Sequence, residues 1–70
     1  MTRLEQVVDW IRSELEAHGK SQLELARFLG LQESQVSKLM RGKRGLDVNE
    51  LERVEQFFGQ FADVHTKQRF

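Results

Sequence analysis

"SQLELARFLGLQESQVSKLMRG", residues 21–42, decides the fold of this chain. Two short apolar stripes flank Gly30: Leu25, Ala26 and Leu29 before it, Val36 and Leu39 after it, each at helical spacing. Ser21 and Glu24 stand at the S/T-x-x-E spacing of a capping box and start one helix. Gly30 ends it after barely two turns. A second helix is expected at about 33–41, closed by Gly42. Helices this short are marginal alone and must be held by packing. Two short helices crossing at roughly 90–120° through a three- to four-residue turn make a helix-turn-helix. Such a pair needs a small residue at the crossing, a turn residue tolerant of positive φ, and apolar anchors on the second helix. Ala26, Gly30, Val36 and Leu39 meet these demands in order.

The flanks read as two more helices. Thr2 and Glu5 repeat the capping-box spacing, and Leu4, Val7, Val8, Ile11 and Leu15 recur along one face, so a helix is expected at about 2–18, ending at Gly19. Asp47 and Glu50 form a third cap, with Leu46 and Leu51 at the spacing of a hydrophobic staple. Leu51, Val54 and Phe58 then give a fourth helix ending at Gly59. The fold expected is all-α, a compact bundle of four to five short helices. Residues 1–59 form one domain, with the helix-turn-helix proper at 21–41. Residues 60–70, "QFADVHTKQRF", have no clear period and are expected to be a tail or a short fifth helix, serving as a dimer or linker segment. Trp10, Phe57 and Phe61 lie off the main stripes. They are either further core aromatics or an exposed patch that pairs two copies or docks a further domain.

Composition narrows the class. At 70 residues there is room for one small domain with a modest core. No cysteine and no cluster of metal ligands is present to staple it, and His18 and His65 are solitary. The proline-free composition, 39% hydrophobic and 31% charged, suits a helical globule rather than a disordered tail. The longest apolar runs are two residues, so no span of a membrane is expected. "MTRLEQVVDW" lacks the basic start and apolar core of a signal peptide, which makes the cytoplasm the expected compartment. No acid–base pair, nucleophile or cofactor loop stands out, so neither an enzyme nor a cofactor is expected.

Charge is where the chain departs from the ordinary. Its formal net charge is zero, yet Lys38, Arg41, Lys43 and Arg44, four of the eleven basic residues, fall within seven positions. With Glu33 they give residues 30–46 a net +3, while Arg53 against Asp47, Glu50, Glu52 and Glu55 gives residues 47–59 a net −3. A polarised protein is expected, and a basic segment between acidic flanks points to nucleic acid.

Residues 21–59 resemble the phage-repressor/Cro-like helix-turn-helix domains. Gln22, Leu25-Ala26, Leu29-Gly30, Val36-Ser37 and "RGKR" fall in that family's register, and "LDVNELERVEQFFG" is similar to its following helix. One departure is Gln32, where the family usually places Ser or Thr as N-cap. Gln caps poorly, so the start of the helix is expected to rely on Ser34 or on water. The resemblance implies a regulator of transcription, most simply a repressor, dimeric on a palindromic operator with half-sites about 34 Å apart.

In such a pair the second helix enters the major groove and its N-terminal residues meet base edges. The candidate readers are Glu33, Ser34, Gln35, Ser37 and Lys38, on the side away from Val36 and Leu39. Lys suits guanine O6/N7, Gln suits adenine N6/N7, and Glu33 could accept from cytosine N4. Glu33 has a plainer role open to it, at the positive end of a helix dipole. Ser34, Gln35 and Ser37 could equally be a solvated face. The resemblance puts Glu33, Ser34 and Lys38 at typical base-reading positions and Gln22 where a phosphate is clamped. Arg41, Lys43 and Arg44 complete the expected phosphate contacts, which set affinity rather than sequence choice. Two rivals stand beside this reading: an antitoxin-type regulator whose main partner is a protein, and a purely protein-binding adaptor of the same fold. A further C-terminal domain, with the chain as the DNA-binding part of a longer protein, is the alternative to pairing through the tail.

Overall fold

The computed structural model describes residues 2–69, and their side chains as far as Phe61. Four helices follow in order: α1 Arg3–His18, α2 Gln22–Leu29, α3 Glu33–Met40 and α4 Val48–Arg69. No strand occurs among the described residues. The all-α expectation holds.

The helix ends form as their local sequence dictates. The Thr2 hydroxyl accepts from the Glu5 amide and the Glu5 carboxylate accepts from the Thr2 amide, both at 3.1 Å. Ser21 and Glu24 repeat this at 3.2 and 2.8 Å, and Asp47 and Glu50 at 2.7 and 3.2 Å. Helix α3 is the exception. Gln32 caps it without a side-chain hydrogen bond, and Ser34 makes no side-chain hydrogen bond among the described residues. The expected help from Ser34 is therefore absent.

Gly30 and Gly42 end α2 and α3 in left-handed backbone, with φ of 75° and 73°. Each closes a Schellman turn. Leu31 donates its amide to Ala26 O at 2.9 Å behind α2, and Lys43 donates to Lys38 O at 2.8 Å behind α3. Only glycine holds that conformation without a Cβ penalty, so both stops are written in the sequence.

Gly59 behaves differently, and here the structure corrects an expectation. Helix α4 does not stop at Gly59 but runs through it to Arg69, so residues 60–69 extend α4 rather than forming a separate fifth helix. The φ of Gly59 is not positive, so it makes no cap. Phe61 explains why the helix continues. With Val54, Phe57 and Phe58 it extends one apolar stripe at i, i+3, i+4 and i+7, and it packs against the core. The His18 ring lies 5.2 Å from the Phe61 ring, and Lys20 Nζ sits 4.8 Å over it. Burial of a phenyl ring outweighs the roughly 1 kcal/mol that an interior glycine costs a helix. The expected dimer or linker role of the tail lies beyond the described side chains, as does His65.

One core joins all four helices. Val8, Ile11 and Leu15 come from α1, Leu25, Ala26 and Leu29 from α2, Val36, Leu39 and Met40 from α3, and Val54, Phe57 and Phe58 from α4. Helix α2 packs on both α3 and α4, while α1 packs on α3. The aromatics join the core rather than forming a separate patch. Trp10 meets Phe58 edge-on at 5.5 Å, Phe57 meets Phe61 likewise at 5.3 Å, and Phe57 is buried. No polar or charged residue is buried among the described residues.

Ala26, only 1% exposed, is the small residue between the two short helices. Ala26→Leu should overpack that crossing and lower stability by about 1–3 kcal/mol, read by chemical denaturation. An unchanged midpoint would mean that the crossing has room to spare.

Candidate nucleic-acid interface

Helix α3 has two distinct sides. Val36 and Leu39 are fully buried and Met40 nearly so, which fixes which way the helix faces. At 100° per residue, Ser34 and Lys38 point directly away from that face, one above the other, and Arg41 continues the same row at the exit. All three are exposed, as is Glu33. Gln35 and Ser37 sit on the flanks and are half-buried. The structure thus aligns Ser34, Lys38 and Arg41 most squarely outward. Glu33 lies at the N-terminal edge, where its charge also suits the positive end of the helix.

Gln22, the first residue of α2, is half-buried and belongs to the same unit because α2 packs on α3. Lys43 is exposed in the turn after α3. Among the described residues, none of Lys38, Arg41 and Lys43 takes part in an ion pair, so their charge faces outward uncompensated.

Arg44 is placed otherwise. Its Nη2 donates to Glu50 Oε2 at 2.6 Å and its Nη1 donates to Gly45 O at 3.1 Å. The ion pair is partly buried, with 26% and 17% of the two side chains exposed. Arg44 therefore ties the loop after α3 to the start of α4. A guanidinium carries five N–H groups, so donors remain for a phosphate, but the group is no free grip. The hydrogen bond from Arg44 holds the Glu50 carboxyl below the usual glutamate range; burial opposes it, and the Asp47 amide and the charges of Arg44 and Arg53 add smaller lowering effects. The same bond to Glu50 raises the Arg44 guanidinium further. Glu50 thus caps α4 with one oxygen and holds Arg44 with the other.

Two residues of the site's frame escaped the sequence reading. Arg12 Nη2 on α1 donates to Met40 O at 3.3 Å, and Arg53 Nη1 on α4 donates to Leu29 O at 3.2 Å. These contacts span 28 and 24 positions of chain, and no spacing rule reaches so far. No group of three or more metal-ligating side chains occurs among the described residues, and none of the helices searched is long and apolar enough to cross a membrane.

Comparison with known proteins adds a family. Residues 11–60 match the profile of a family described as helix-turn-helix. No curated protein and no solved structure matches the chain.

The Arg44–Glu50 pair carries a pH signature. Because the folded-state pKa of Glu50 is depressed, its stabilisation is complete above the ordinary glutamate pKa. It is lost as pH falls through that value toward the lower folded one. Glu50→Gln should flatten the acid limb of the stability–pH curve, measured by denaturation at successive pH values. An acid limb identical to that of the parent protein would show that the pair contributes nothing.

Proposed function

This chain belongs to the helix-turn-helix family of the Cro/C1 type, a family of DNA-binding regulatory domains, and on that footing we propose that it binds a particular double-stranded DNA sequence and represses transcription there. The observation that carries the reading is the outward row Ser34, Lys38 and Arg41 on a helix whose other face is wholly buried. Major-groove reading needs such a helix: rigidly seated, with polar and cationic groups of bonding length on its free side.

In this reading α3 lies in the major groove. Lys38 reads guanine O6/N7, and Ser34 reads whichever base edge lies beside it. Gln35 and Ser37 contribute from the flanks, and Glu33 accepts from a cytosine N4 at the N-terminal edge. Gln22 donates to a phosphate from the start of α2. Arg41 and Lys43 neutralise phosphates beside the exit of α3, and Arg44 assists with the donors that Glu50 leaves open. Repression needs no further chemistry, since a protein seated on a promoter blocks it by occupancy. One α3 discriminates few base pairs, so the proposed form on DNA is a homodimer on a palindrome with half-sites about 34 Å apart. The proposed compartment is the cytoplasm, where the target DNA of such a regulator lies.

Selection of bound sites from random duplexes tests the whole reading, with a palindrome expected and an unenriched pool overturning it. Within the site, Lys43→Ala should weaken binding to every sequence alike and flatten the salt slope by about one unit. Lys38→Ala should instead cost roughly 1–3 kcal/mol at particular base positions. An equal loss on selected and random duplexes would remove Lys38 from the readers.

A further inference from the structure

Helix α3 is held unevenly. Its N-terminus lacks a side-chain cap, so the end that carries Ser34 is closed only by backbone bonds from Gln35 and Val36 to Gln32 O. Its C-terminus is held twice. The Schellman turn at Gly42 takes up the carbonyls of Lys38 and Leu39. The Met40 carbonyl is left over, and Arg12 of α1 donates to it. A guanidinium suits this place, at the negative end of the helix dipole. Arg12 is itself steadied by Asp9, whose Oδ1 lies 3.4 Å from Nη1. Met40, Arg41 and Arg12 line one shallow hollow at the seam of α1 and α3, so the contact lies where the two helices meet. The same device recurs in α2. Its Schellman turn uses the carbonyls of Ala26 and Arg27, and Arg53 of α4 takes that of Leu29. Each helix of the pair is thus held at its C-terminal end by an arginine from a different flanking helix.

We propose that Arg12 is a positioning residue for sequence recognition, fixing the angle at which α3 presents Ser34 and Lys38, while Arg53 holds α2 against α4 in the same way. The inference rests on α3 being the DNA-reading helix. The leverage is large for so short an element. Eight residues span about 12 Å, so a tilt of about ten degrees about the C-terminal end moves the N-terminal end by about 2 Å. Base-edge hydrogen bonds tolerate a spread of only about 0.5 Å in length. Phosphate contacts through long cationic side chains tolerate far more, because they depend on charge rather than alignment. Loss of Arg12 therefore damages discrimination before it damages affinity.

The test compares the parent protein, Arg12→Ala and Arg12→Lys on duplexes selected by the parent protein and on scrambled duplexes of the same composition. Arg12→Ala should lower the selected-to-scrambled affinity ratio roughly three- to tenfold, the range that one net hydrogen bond supplies. Binding to scrambled duplexes should hold within about twofold. Amide exchange at Arg41, Gly42 and Lys43, which close the last turn of α3, should quicken. Arg12→Lys, which keeps a cationic donor at the same place, should restore most of both effects. An unchanged ratio in Arg12→Ala would overturn the proposal. So would an equal loss on both duplexes with a lowered melting temperature, since that is a merely structural role. A parent protein that selected no duplex would overturn the DNA reading itself, and with it the positioning role. The exchange data need no DNA and tell that failure apart from a missing anchor.

Discussion

Everything in this fold depends on seating an eight-residue helix that cannot hold itself. Helix α3 is too short to persist alone, lacks a side-chain cap at its start and carries its exposed polar and cationic side chains on the side facing away from the protein. Its conformation and direction must come from outside. Val36 and Leu39, fully buried against the neighbouring helices, supply the adhesion. Ala26 lets α2 come close enough to share the load, and the chain reverses between the two helices at Gly30. The remaining helices make a frame around this pair, with α1 packed on α3 and α4 packed on α2.

The zero net charge resolves once the charges are placed. Lys38, Arg41 and Lys43 point outward without ion-pair partners among the described residues. Arg44, the fourth member of the cluster, is paired inward with Glu50. The acidic stretch at the start of α4 is therefore more than a counterweight. Glu50 ends the loop, starts the helix and withdraws one guanidinium from the basic face. A charge census of the sequence counts four cations there. The structure presents three freely and a fourth already engaged.

Local signals made most of the fold legible. Capping boxes at Thr2, Ser21 and Asp47 and the stops at Gly30 and Gly42 each depend on residues within a few positions of one another, so spacing alone reveals them. The division of α3 into a buried and an outward side was legible for the same reason, since one period governs Val36, Leu39, Ser34 and Lys38. Gly59 misled because a glycine after an apolar pair looks like a stop. Whether it is one depends on Phe61 finding the α1 side of the core, which is a tertiary matter. Arg12, Arg53 and the Arg44–Glu50 pair escaped because a side chain reaching a distant carbonyl or carboxylate leaves no periodic trace.

The outward row on α3 has a consequence for how such a protein changes over time. Glu33, Ser34 and Lys38 make no side-chain hydrogen bond to the rest of the fold among the described residues, and none contributes to the core. Residues that bear no packing can be exchanged without disturbing the scaffold beneath them. In the proposed reading, target preference and fold integrity are thus carried by separate sets of positions in one short helix, alternating along its turns. If those positions read DNA as proposed, single exchanges among them would change the target while leaving a protein that still folds.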